Sequence, residues 1–140
     1  MQVTTQLTLL LANKVGTFSA VCRTLSRAGI RIHAFTNDGS ADHTVIRLVV
    51  DRPSDAIRIL ETHGALVLED DVIMIEEANK IGVLDGICEK LAANRVNIEY
   101  AYSAASPHNS HGLLILRPNS IAKALHVLNK GKEKSPRKKA

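Results

Sequence analysis

The amino-acid sequence predicts an α+β protein made of two similar units in tandem, the second one short of its last strand. Three observations carry that prediction. A pattern of residues recurs at an offset of 66. Within each copy, short continuous apolar runs alternate with stretches whose apolar residues lie three and four apart, the spacings of covered strands and amphipathic helices. The chain has 140 residues and is 45% apolar, yet only 3% aromatic and without Trp, so each core has to be built from Leu, Ile, Val and Ala. Such a length holds one ordinary domain or two very small ones, and the repeat selects the second.

The repeat is seen first where Asn13-Lys14-Val15-Gly16 returns as Asn79-Lys80-Ile81-Gly82. Phe18 then meets Leu84, Val21 meets Ile87, Cys22 meets Cys88 and Leu25 meets Leu91. Further on, Ile30-Arg31-Ile32 meets Val96-Asn97-Ile98. After an insertion of two residues, His43 and Thr44–Val50 fall opposite His111 and Gly112–Pro118. One tetrapeptide match arises by chance, whereas an apolar pattern held in register over this length does not.

Each copy opens with a short apolar strand, Leu7–Leu11 in the first and Val72–Ile75 in the second. The Asn-Lys-x-Gly turn follows, and after it Phe18, Val21, Cys22, Leu25 and Ala28 trace one face of a helix. Leu84, Ile87, Cys88 and Leu91 trace the same stripe in the second copy. Gly29 is placed to end the first helix in the left-handed conformation, and Asn94-Arg95 stands there in the second, where Asn tolerates it. Ile30–Phe35 and Val96–Tyr102 read as second strands. Asn37-Asp38-Gly39 has hairpin chemistry before a third strand, Thr44–Val50, with Ile46, Leu48 and Val50 on one face. Pro53-Ser54-Asp55 opens a second helix, Ala56–His63, which Gly64 ends. A fourth strand, Ala65–Leu68, and an acidic turn, Glu69-Asp70-Asp71, lead into the second copy.

The first copy is therefore β-α-β-β-α-β, a complete ferredoxin-like unit with helices on one face of an antiparallel sheet. The second copy runs β-α-β-β-α and stops after the helix Ile121–Leu128. Domains are expected over 1–70 and 71–129, followed by a disordered basic tail over 130–140. The missing strand borders the first strand in such a sheet, so Val72–Ile75 is expected to present an open edge that a partner covers.

Composition excludes several function classes. No apolar run approaches the roughly 18–20 residues of a membrane-spanning helix. Met1-Gln2-Val3-Thr4-Thr5 lacks the basic and apolar pattern of a secretory signal, so a cytoplasmic address is expected. Cys22 and Cys88 are expected as two reduced thiols packed as small apolar side chains, in preference to a disulfide. The net charge of +4 belongs to the tail, where six basic residues stand against Glu133 alone and leave residues 1–129 at −1. Nonspecific contact of that tail with nucleic acid is weighed against a solubilising role, and the slightly acidic body favours the latter. Six histidines are scattered, and His108 with His111 is too few for a metal site, so neither metal nor cofactor is expected. Glu69–Asp71, Glu76 and Glu77 read as solvated acids, and with no nucleophile elbow or phosphate loop no catalysis is expected.

The strand leading into Asn13-Lys14-Val15-Gly16-Thr17-Phe18, the helix to Leu25 and the strand opening Gly29-Ile30-Arg31-Ile32 resemble the ACT domain family, and Asn79 to Ile98 resembles it equally. The resemblance covers residues 4 to about 129 and is nearest to small stand-alone bacterial proteins built from two such domains. Members often carry Pro before the loop glycine, where Val15 and Ile81 stand here. The resemblance implies a non-enzymatic regulator that binds a free amino acid where ACT units meet, as a homodimer, or a docking subunit of a separate enzyme. No membrane partner is expected.

Elementary physics agrees with a ligand at the loop. The first turn of each initial helix presents unpaired N–H groups and the positive end of its dipole to a carboxylate. Gly16 and Gly82 allow close backbone approach, and Asn13 and Asn79 offer amides, although turn chemistry is an equally ordinary role for Asn. Contacts are expected on Asn13, Val15, Gly16, Thr17, Phe18 and Arg31 in the first copy. In the second they are expected on Asn79, Ile81, Gly82, Val83, Leu84 and Asn97. Arg31 opposite Asn97 makes the two sites inequivalent.

Overall fold

The computed structural model describes residues 1–133. The elements are β1 (Gln2–Ala12), α1 (Thr17–Arg27), β2 (Ile32–Gly39), β3 (His43–Val50), α2 (Pro53–Thr62), β4 (Val67–Ala78), α3 (Val83–Ala93), β5 (Ile98–Ala105), β6 (His111–Pro118) and α4 (Ile121–Glu133). The described chain divides into two compact units, one of Thr4–Asp71 and one of Met1–Val3 together with the described residues from Val72 to Glu133.

In the first unit β3 lies between β1 and β2 and pairs antiparallel with both. Leu7 and Leu9 of β1 and Ile46, Leu48 and Val50 of β3 turn one face toward the helices, as strand alternation requires. Val21 and Leu25 of α1 and Ala56 and Leu60 of α2 close this aliphatic core. Gly29 takes φ 71 after α1, the left-handed position only a residue without Cβ adopts at little cost. Arg52, just before α2, donates through its guanidinium to the carbonyl of Ala28 at 2.9 Å and so satisfies one orphan acceptor of the α1 terminus.

The second unit repeats the plan, with β6 antiparallel to β4 and β5. Ile73 and Ile75, Leu114 and Leu116, Leu91, and Ala124 with Val127 form its core. Cys22 and Cys88 are free and half-buried.

Several sequence expectations are corrected. Glu69, Asp70 and Asp71 form no turn, because β4 runs unbroken from Val67 to Ala78. The stretch contains no Gly, Pro or Asn, and an extended backbone sends alternate side chains to opposite faces, so the acids add little cost to the strand. The edge of Val72–Ile75 is not open either. β4 lies between β1 and β6 in the strand order, Met1–Val3 belongs to the second unit, and Met1 packs against its core. The start of β1 thus occupies the place of the strand the second copy lacks. Asn37–Gly39 extend β2 opposite Ile46, Val45 and Thr44, and the chain reverses at Ser40–Asp42. After α3 it is Arg95, at φ 57, that enters the left-handed region, while Asn94 donates its side-chain amide to Lys90 O at 2.8 Å. Of the expected tail over 130–140, Lys130–Glu133 continue α4 and the remainder lies outside the described residues.

Candidate functional site

The two strand-to-helix loops have nearly one geometry. Gly16 (φ 88, ψ −10) precedes α1 and Gly82 (φ 92, ψ −13) precedes α3, and neither helix has a side-chain cap. Ala20 N–H and Gly86 N–H donate to the carbonyls of these glycines at 2.9 Å in each copy. Thr17 N–H turns back to Lys14 O at 3.2 Å and Val83 N–H to Lys80 O at 3.4 Å, and no side chain caps the N–H groups that follow, where an anion is favoured. α1 has no acid in its first turn, whereas α3 has Asp85. Val15 and Ile81 stand fully exposed at the loop tips.

The asparagines hold the loops in place. Asn79 donates both amide hydrogens, to Ser106 O at 3.1 Å and Asn109 O at 3.2 Å, and its own N–H reaches Ser110 O at 2.8 Å. Asn13 donates its amide to Ser40 O, and its backbone N–H to Asp42 O at 2.9 Å. Each side chain thus ties the helix-bearing loop to the neighbouring hairpin, and Asn79 keeps only its amide oxygen for any ligand.

Arg31 and Asn97 are not brought to the loop of their own unit. Ala12, beside the loop, pairs with His43, and Ile32, beside Arg31, pairs with Val50 at the other end of β3. Seven strand steps separate those ends, about 23 Å at about 3.3 Å per residue. Asn97 stands in the same relation, with Ala78 opposite His111 and Ile98 opposite Pro118. There the two backbones serve as clasps: Arg31 N–H donates to Asp51 Oδ1 at 3.0 Å and Asn97 N–H to Asn119 Oδ1 at 3.2 Å.

Each loop borders a hollow, and the two hollows differ. In the first unit a space of about 520 Å³ runs along Lys14, Val15, Gly16 and Thr17 to Thr24 and His63. In the second, a smaller one of about 170 Å³ lies between α3 and the sheet, with Val83, Leu84 and Ile87 on one side and Ile75, Ser103 and Leu114 on the other. Several matching positions in the first unit carry larger groups. Phe18 and Phe35 bring their ring centroids to 5.1 Å, where the repeat has Leu84 and Ala101. Thr44 donates its hydroxyl to Asn37 Oδ1, where the repeat has Gly112 and Ser103.

Two charged residues also line the second hollow, Glu77 and Lys80. Glu77 follows Ile73 and Ile75 at alternate positions of β4, so it stands on the helix-facing side and is half-buried. Reading it as a solvated strand-end acid missed this. The signal was in the repeat: at the offset of 66 Glu77 matches Leu11, which packs against the first core. Among the described residues no group of three His, Cys, Asp or Glu is placed to hold a metal, and no helix is long and apolar enough to cross a membrane.

A family model described as an ACT domain pair matches residues 1–134. The chain belongs to this family. A crystal structure of a protein from Bacteroides thetaiotaomicron is 32% identical, superposes with a TM-score of 0.87, and the match covers 93% of this chain and 89% of that one. The ligand-free regulatory subunit of aspartate kinase from Thermus thermophilus gives a TM-score of 0.68 at 16% identity over 92% of this chain and 94% of that one. Its Thermus flavus counterpart gives 0.60 at 17% identity over 94% and 97%. At such identities the kinase subunits share the fold of these ACT units. No curated protein matches.

Proposed function

We propose that this chain is a cytoplasmic, non-enzymatic regulatory protein that senses a free amino acid at its ACT loops. The observation that carries the reading is the twice-built loop: a left-handed glycine, an uncapped helix start and an adjoining hollow in each unit. A carboxylate fits the helix start, and the hollow offers room for a side chain. The regulatory kinase subunits that share the fold support a regulatory role, and family membership indicates no catalytic chemistry.

Thermal denaturation with each of the twenty amino acids tests the reading. A true ligand at a hundredfold excess over its Kd adds about 2.7 kcal/mol of stability by mass action. A flat response to all twenty overturns it.

A second reading is a docking subunit without its own ligand. It draws on the near end-to-end match to kinase subunits that are separate chains. A flat thermal screen favours it. The homodimer rests on the family resemblance, since the strand edge that first called for a partner is occupied by β1. Light scattering at micromolar concentration is expected to give twice the mass of 15.2 kDa.

A further inference from the structure

We propose that the hollow of the second unit selects an α-amino acid with a short, branched aliphatic side chain, its ammonium held by Glu77 and its carboxylate by Lys80. The inference rests on the amino-acid reading above and specifies which unit binds and what it recognises. The hollow has an aliphatic lining of Ile75, Val83, Ile87 and Leu114, with one acid and one base among the residues around it. A zwitterion with an apolar side chain carries the complementary set. The size agrees: about 170 Å³ exceeds the roughly 150 Å³ of an apolar cavity known to hold benzene.

Glu77 is the decisive residue. The fold does not need an acid there, because the same position of the first unit is Leu11, packed against an aliphatic core. Among the described residues neither Glu77 nor Lys80 forms an ion pair or a side-chain hydrogen bond. A carboxylate that borders an aliphatic hollow with no partner of its own is placed to take a cationic ligand group. Four other substitutions at or near the hollow act in the same direction, although Val21 to Ile87, Gly39 to Ala105 and Val45 to Leu113 add atoms to its lining. Phe18 to Leu84, Asn37 to Ser103 and Thr44 to Gly112 each remove atoms from the lining of the hollow, and Phe35 to Ala101 removes a ring from the same face of β5. The first unit, with Leu11 in place of the acid and its rings in contact, offers no equivalent partner for an ammonium.

Calorimetric titration of the full chain with valine, leucine and isoleucine tests this, with lysine, aspartate and tryptophan as competitors. Two half-ligands, isopentylamine and 4-methylpentanoate, each lack one charge. The expected result is binding of at least one branched aliphatic amino acid, with both half-ligands weaker by about ten- to hundredfold, the usual value of a charged hydrogen bond. Glu77→Gln and Glu77→Leu are expected to weaken binding by the same factor. The second introduces the residue the first unit already accommodates, so its fold is maintained, and unchanged circular dichroism checks that. Leu84→Phe combined with Ala101→Phe closes the hollow and abolishes binding. Binding of a charged or aromatic amino acid while the aliphatic ones stay silent overturns this proposal and leaves the sensor reading standing. So does aliphatic binding that Glu77→Leu leaves unchanged. Silence toward all twenty overturns both.

Discussion

The two units share a plan but not their interiors near the loop. In the first, the Phe18 and Phe35 rings meet and Thr44 bonds Asn37, and in the second Leu84, Ala101, Ser103 and Gly112 stand at those positions, beside a hollow that Leu84, Ser103 and Gly112 line. Leu84 is 52% exposed at the mouth of that space. The deeper cores, by contrast, are closely alike: Leu25 and Leu91, one repeat apart, are both fully buried. The copies thus differ in side-chain size beside the second loop while each keeps a buried aliphatic core. An empty, acid-bearing hollow costs packing contacts that a filled one retains, so the difference has a stability consequence as well as a functional one.

The comparison is tested hardest in the core. Leu25→Ala and Leu91→Ala are each expected to cost about 2–5 kcal/mol, by lost transfer energy and by the cavity left behind. Urea denaturation measures both, and a cost below 1 kcal/mol for either would show that its unit is not closed as the other is. A smaller effect is expected at the loops. Gly16→Ala and Gly82→Ala place a Cβ at φ 88 and φ 92, although no atom lies within 4 Å of it. The penalty is therefore backbone strain alone, about 1–2 kcal/mol and equal in the two units. Unequal penalties would break the geometric equivalence of the loops. The smallest effect, and the one of opposite sign, belongs to the helix ends. Arg95 holds at φ 57 the position that Gly29 holds at φ 71, so Arg95→Gly is expected to raise stability by up to about 1 kcal/mol. Thermal unfolding of that variant decides whether the Arg95 side chain contributes enough to outweigh the strain.

Much of this arrangement was legible in the residues. The stripe Phe18–Val21–Leu25 and the alternation Ile46–Leu48–Val50 report local periods, and local periods survive into the fold because each element must bury one face. The loop glycines were legible for a similar reason, since the left-handed angle they adopt is a property of one residue. Glu69–Asp71 was not, because acids suit a turn and an exposed strand position equally, and only pairing with neighbours chose the strand. Arg31 and Asn97 were expected among the ligand contacts, and the antiparallel register places them at the far end of β3 and β6 from the loop of their own unit. Asn13 and Asn79 were weighed between ligand and turn, and their donors go to hairpin carbonyls some 27 to 30 residues away.

The sequence by itself determined the repeat, the order of strands and helices, the aliphatic cores and the two glycine loops. Each of these follows from a local period or from the conformational range of a single residue. Tertiary structure alone decided that β4 is one strand, that the start of β1 stands beside it, and that Glu77 borders a hollow. Those outcomes depend on which distant segments share backbone hydrogen bonds and on how much volume facing side chains leave between them. Neither quantity is a property of any one stretch of chain.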